Sequence, residues 1–174
     1  MSGTSSHGNP SMGDIARSLG VLGVIILILF GVGQLLTITP DKPTTSTVDY
    51  RTAAESSRTV ADFDLLAPST LPKGWRATSV RYEPDSWHLG VLTDEDAYIG
   101  LEQGRITETR AVERFAEGSR AAGTVVIDGA TWTRRAGPDV DTTYVRRDGD
   151  LTNLVTGSAP PAEIERYISS LSAS

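Results

Sequence analysis

The residues best suited to chemistry in this sequence are few, because cysteine is absent and only two histidines occur, His7 and His88. Without cysteine the chain has no thiolate nucleophile, no disulfide and no cysteine-based metal site. Two histidines are also too few for a histidine-rich metal cluster. Any imidazole-dependent catalysis outside the N-terminal tail must therefore use His88, and we expect neither a metal nor a cofactor.

A first hypothesis places a ligand-binding site at Trp75, Trp87 and His88, since aromatic faces with one polar group are typical of pockets for small molecules or glycans. The alternative is that both tryptophans pack in the core, where large aromatic side chains are mostly buried. In a strand, Trp87 and His88 point to opposite faces unless the strand is bulged or lies at a rim. The three residues remain the candidate binding set.

A serine hydrolase is an alternative that the residue types permit. Ser79 or Ser86, with His88 and Asp85, could supply the members of a catalytic triad. The sequence lacks a Gly-x-Ser-x-Gly turn, however, and close neighbours in sequence rarely converge in this way. No catalytic residue is therefore assigned, and His88 as a general base stays an alternative.

The acidic run 94–96 is close enough in sequence to suggest calcium binding, but its spacing does not fit a calcium loop. Its three residues lack the alternating ligands and the terminal glutamate of a calcium loop. Aspartate-rich runs of this length are typical of solvated turns. We therefore predict a turn there, and no metal site.

An N-terminal membrane helix is predicted to tether the domain that carries these residues. No residue between Arg17 and Asp41 is charged, and the apolar run that begins at Leu19 continues to Ile38. A helix of about 20 apolar residues spans the hydrocarbon core of a bilayer. The pattern predicts a transmembrane anchor at 13–38, with the span at about 18–38. A cleaved signal peptide is the alternative, although its apolar region is normally shorter.

Charges on both sides of this helix indicate its direction. Arg17 and the terminal amine lie on one side, against Lys42 beside Asp41 on the other. The positive-inside rule favours a cytoplasmic N-terminus. We expect a single-pass protein of the cytoplasmic membrane, with the bilayer as a partner and the C-terminal domain extracytoplasmic. The net charge of −6 lies almost wholly in that domain, which argues against nucleic-acid binding.

The remaining chain divides into a disordered cytoplasmic tail (1–12), a Pro/Thr linker (39–47) and one α+β domain (48–174). Alternating β-formers and turn residues predict strands at 76–82, 87–93, 98–103, 124–127, 131–135, 142–147 and 151–156. Amphipathic periodicity predicts helices at 107–120 and 160–171, and residues 50–60 are compatible with a short helix. The expected domain is an antiparallel β-sheet with two packed helices, in the order β-β-β-α-β-β-β-β-α.

Several stretches of the sequence together resemble one known family. These are Leu71-Pro72-x-Gly74-Trp75-Arg76-x-Thr78-Ser79-x-Arg81, Trp87-His88-Leu89-Gly90-x-Leu92-Thr93, Tyr98-x-Gly100-Leu101-x-Gln103, Gly129-x-x-Trp132 and Thr156-Gly157-Ser158-Ala159. With the N-terminal membrane helix, they resemble the actinobacterial family called domain of unknown function 4245. The resemblance covers nearly all of the chain after residue 12, and the order of the pieces is more specific than any one of them.

The resemblance implies anchorage in the envelope of a high-GC Gram-positive bacterium, and the excess of arginine over lysine fits such a genome. It supplies no activity, cofactor or catalytic residue. Our leading hypothesis is a non-enzymatic envelope module that binds a protein partner or a wall or lipid component through an exposed face or edge of its sheet. The alternative is an envelope hydrolase or transferase with His88 as general base.

Overall fold

The structure, a computed structural model, describes residues 47–138 and 140–173. The expected tail (1–12), the membrane anchor (13–38) and all but the last residue of the linker (39–47) lie outside the described residues. Among the helices that are described, none has the length and apolar character needed to cross a bilayer.

The described chain contains three helices and nine strands. The helices are α1 (Tyr50–Arg58), α2 (Glu108–Phe115) and α3 (Pro161–Ser169). The strands are β1 (Ala67–Pro68), β2 (Arg76–Glu83), β3 (Ser86–Leu92), β4 (Tyr98–Gly104), β5 (Arg120–Ile127), β6 (Ala130–Gly137), β7 (Val140–Asp148), β8 (Leu151–Gly157) and β9 (Leu171–Ser172).

Seven of these strands form one antiparallel sheet in the order β2-β3-β4-β8-β7-β6-β5, which confirms the predicted α+β class and sheet type. The β5–β6 turn is Asp128-Gly129, and both residues have positive φ, 47° and 75°. Two successive residues with positive φ are what a tight hairpin turn requires. Strands β1 and β9 form a separate two-stranded antiparallel pair.

One face of the sheet, the first face, packs against α1 and α3 to form the main core. Trp87, Leu89 and Val91 alternate along β3 and all point into this core. Helix α3 contributes Ile164 and Tyr167, which are also buried. Alternation of buried and partly exposed residues along β3 is the pattern of a strand with one face in a core.

The opposite face, the second face, carries α2 over β7 and β8. Ala111 packs there against Val145 and Leu154. The N-cap of this helix is Thr107, whose side chain accepts a hydrogen bond from the backbone N–H of Arg110 at 3.3 Å. This arrangement leaves a cleft between α2 and the part of the second face formed by β2, β3 and β4.

The prediction of two packed helices was wrong by one helix, because the described domain has three helices, of which α1 is the additional one. Helix α1 buries Tyr50, Ala54 and Ser57, which are spaced one helical turn apart. The alanine and serine among them give a weak hydrophobic signal, which is why the sequence pattern indicated this helix less clearly than the other two. Its N-cap is Asp49, which accepts from the N–H of Thr52 at 3.2 Å.

Candidate functional site

Three polar side chains form a hydrogen-bonded chain on the second face, which we call the Ser-His-Glu array. Ser79 lies on β2, His88 on β3 and Glu102 on β4. His88 Nδ1 is 2.6 Å from Glu102 Oε1, and His88 Nε2 is 2.9 Å from Ser79 Oγ. The side chains of His88 and Glu102 are 15% and 16% exposed. The His88–Glu102 pair is therefore largely shielded from solvent, while Ser79 is partly exposed.

The hydrogen-bond chemistry of the array fixes the direction of its donors. An ionised carboxylate only accepts, so Nδ1 of His88 carries the hydrogen that is donated to Glu102. In the neutral ring, Nε2 then has a lone pair and accepts from the hydroxyl of Ser79. Chemically, this arrangement can remove a proton from Ser79 and stabilise the imidazolium that results.

Two glycines beside the array leave room for the side chains of Ser79 and Tyr98 on the sheet surface. Gly90 lies opposite Ser79 in the β2–β3 register and opposite Gly100 in the β3–β4 register. The ring of Tyr98 lies over both glycines, because a Cβ at Gly90 would be 3.1 Å from the Tyr98 hydroxyl oxygen and one at Gly100 2.7 Å from it. Glycine inside a strand often marks such a close approach. Burial, together with the charge of Glu102, raises the pKa of Tyr98.

His88 and Glu102 also line the cleft beside α2, which has a volume of about 290 Å³. Arg81, from β2, lies directly opposite His88 in the strand register. Arg110 and Arg114, from α2, line the other side. The cleft thus joins an imidazole and a carboxylate to guanidinium groups from two elements.

Arg105 lines the same cleft but is held by acidic neighbours. Its guanidinium lies 2.8 Å from Asp62, 2.8 Å from Asp150 and 3.4 Å from Asp85. These hydrogen bonds lower the pKa of Asp62 and of Asp150, and they raise that of Arg105. Arg105 therefore links three loops through ion pairs.

Within residues 47–138 and 140–173, no group of three or more His, Asp and Glu side chains is arranged to hold a metal ion. His88 and Glu102 supply two ligating side chains, which is fewer than the three or four protein ligands of zinc sites.

The structure separates the three residues of the ligand-binding hypothesis. Trp87 is 1% exposed and Trp75 9% exposed, and both belong to the core on the first face. His88 lies on the second face, as the alternation of a strand predicts. The structure thus brings His88 to a cleft without the tryptophans. A ligand-binding role for Trp75, Trp87 and His88 stays a prediction.

Sequence reasoning named Ser79 and His88 as triad candidates but missed Glu102. Asp85, the acid proposed for that triad, lies instead beside Arg105. Ser86 lies 3.5 Å from Glu83. Glu102 is directly opposite His88 only once the β3–β4 register is known. The sequence does hold a usable signal, because His88 and Glu102 lie equally many residues before and after the centre of the Asp94–Asp96 turn. A hairpin closed by that turn places two such residues opposite each other.

Comparison with known proteins agrees with the resemblance seen in the sequence. The model of the family described as "Protein of unknown function (DUF4245)" matches residues 8–171. Curated proteins gave no match, and neither did solved structures. Because the family model covers most of the chain, this protein belongs to the DUF4245 family of proteins of unknown function.

Proposed function

We propose that this chain is a single-pass envelope protein, anchored in the cytoplasmic membrane, whose extracytoplasmic domain is a binding module. The uncharged run between Arg17 and Asp41 supports the anchor, since its length suits a bilayer. The folded domain begins within ten residues of that run, at α1. Protease treatment of intact protoplasts tests this topology. Digestion of the domain without lysis is the expected result, and full protection would contradict it.

The binding site of the module is the cleft beside α2, and its ligand is an acidic group of a wall or lipid component. The observation that carries this proposal is that Arg81, Arg110 and Arg114 line the cleft from two elements. Arg81 lies 3.7 Å from Glu83, and both side chains are more than half exposed. An exposed pair of that kind is weak, so it does not prevent Arg81 from binding an anion.

Arginine is suited to this role because its planar guanidinium binds a carboxylate or phosphate through two parallel hydrogen bonds. The domain as a whole is acidic, which would repel an anion from most of its surface. Among the described residues, four arginines and three carboxylates line the cleft, and one of the arginines is tied to aspartates. The cleft is therefore less acidic than the domain as a whole.

Calorimetric titration of the full-length chain in neutral detergent with glycerol 3-phosphate tests the site, with glycerol as the uncharged comparison. A double variant, Arg110→Gln with Arg114→Gln, should bind at least about tenfold more weakly, since a hydrogen bond to a charged group contributes about 1.5–3 kcal/mol. Arg166→Gln removes an exposed charge from α3 and is the matched control. Equal binding by the double variant and the control would refute the anion site.

A further inference from the structure

We propose that Ser79 is a nucleophile, activated by the Ser-His-Glu array, and that the domain transfers acyl groups from carboxylic esters. This activity goes beyond ligand binding in the cleft. Nε2 of His88 contacts the serine and Nδ1 contacts the acid, at 2.9 Å and 2.6 Å. These are the atoms and the order of a catalytic triad, which is recognised by its geometry and not by sequence position.

The backbone of β2 is irregular next to Ser79. The β2–β3 register shifts between Ala77 and Ser79, so the strand is bulged immediately before the serine. Bulges re-aim side chains and are over-represented beside active sites. Ser79 is partly exposed, and its hydroxyl occupies space that a Cβ at Gly90 would fill. The glycine thus makes room for the serine to reach His88 diagonally.

A group that could stabilise an oxyanion lies beside the same glycine. The hydroxyl of Tyr98 would be 3.1 Å from a Cβ on Gly90, and Ser79 Oγ would touch that atom too. Both hydroxyls therefore lie beside Gly90, close to each other. A tyrosine hydroxyl is protonated at neutral pH, and burial raises the pKa of Tyr98 further, so this hydroxyl can donate a hydrogen bond to a developing negative charge.

The reaction that these groups support is a two-step acyl transfer. Ser79 Oγ attacks the ester carbonyl carbon, while its proton passes to His88 Nε2 and the oxyanion accepts a hydrogen bond from Tyr98. The C–O bond to the alcohol then breaks, and the alcohol leaves with the proton from Nε2. Water attacks the acyl-serine, gives a proton to His88, and releases the carboxylic acid as Ser79 recovers the proton. Glu102 acts as a positioning residue for the ring throughout.

A fluorophosphonate probe tests this proposal without knowledge of the natural ester, because it reacts covalently with activated serines. The full-length chain in neutral detergent is treated with the probe and digested with trypsin. Ser79 falls in the short peptide 77–81, whereas Ser86 falls in 82–105. We expect the label on peptide 77–81 and its loss in Ser79→Ala. A folded wild-type protein with no label on that peptide would overturn the proposal.

Further variants separate an activated serine from one that is merely accessible. His88→Gln should slow labelling at least about 100-fold, the lower range of general-base catalysis. Glu102→Gln should also slow it, with partial recovery in Glu102→Asp, and Tyr98→Phe should slow hydrolysis of p-nitrophenyl acetate about 100-fold. Ser56→Ala, an exposed position on α1, is the control. Unchanged labelling in a folded His88→Gln or Glu102→Gln variant would show that the array only ties the strands together.

Discussion

His88 and Glu102 face each other directly across β3 and β4, with Nδ1 of the histidine 2.6 Å from Oε1 of the glutamate. The pair is mostly shielded from water, which strengthens an electrostatic hydrogen bond and makes loss of one partner costly. The His88–Glu102 hydrogen bond therefore stabilises the sheet. It also fixes the orientation of the imidazole ring that contacts Ser79.

The stabilising role of this pair can be measured with a double-mutant cycle. Glu102→Gln should lower the free energy of unfolding by about 1.5–3 kcal/mol, as expected for a hydrogen bond to a charged group. His88→Gln should cost a similar amount, and the double variant should cost less than the sum. Urea unfolding followed by circular dichroism gives all three values. Strict additivity would mean that the two side chains do not interact in solution.

Gly157, at the end of β8, is predicted to tolerate no side chain. A Cβ there would overlap the backbone oxygen of Tyr98 and lie 2.9 Å from the Cα of Ile99. Because backbone cannot move aside as a flexible side chain can, Gly157→Ala should cost about 3 kcal/mol or more.

Gly129→Ala is the matched control for that substitution. Gly129 has a φ of 75° but no atom near its would-be Cβ, so only the conformational cost of about 1–2 kcal/mol should appear. Thermal unfolding of both variants gives the comparison. Equal losses would argue against the close approach of β8 to β4.

The positions of the sheet strands along the chain, and two of the helices, could be predicted from local patterns, whereas the pairing of β4 with β8 could not. Alternation along β3 indicated that Trp87 and His88 point to opposite faces, and the Asp128-Gly129 turn indicated the β5–β6 hairpin. These signals depend on neighbours in sequence, where sterics and turn geometry decide the result. Helix α1 was indicated less clearly because alanine and serine make up most of its buried side.

The candidate site could be predicted only in part, because it depends on register. Ser79 and Glu102 are 23 positions apart in the printed sequence, and only the exact pairing of three strands brings both to His88. A one-residue slip would turn each side chain to the other face. The cleft depends further on where α2 packs, which follows from the tertiary contacts of Ala111 with Val145 and Leu154.

Trp87 is predicted to act mainly through packing. Its side chain is buried in the first-face core, so Trp87→Ala should lower the free energy of unfolding by about 3–5 kcal/mol. Trp87→Phe should cost less and leave titration with glycerol 3-phosphate unchanged. Val126→Ala, 67% exposed, is the control and should stay within about 0.5 kcal/mol of wild type. Loss of binding in a stable Trp87→Phe variant would instead support the ligand-binding hypothesis for this tryptophan.

The ion pairs of Arg105 with aspartates predict that part of the stability of the fold is lost at acidic pH. Hydrogen bonds from Arg105 lower the folded-state pKa of Asp62 and Asp150 below the unfolded value, which is about 3.9 for aspartate. A lowered carboxyl pKa stabilises the fold above the unfolded value, and the stabilisation is lost as pH falls through the folded value. Arg105→Gln should therefore lower the melting temperature at pH 7, by an amount that shrinks steadily below about pH 4. Arg166→Gln removes the same charge elsewhere and is the control, so its loss of melting temperature at pH 7 should be smaller. If the loss of melting temperature in Arg105→Gln persists unchanged at pH 2.5, Arg105 instead stabilises the loops by packing against Phe63.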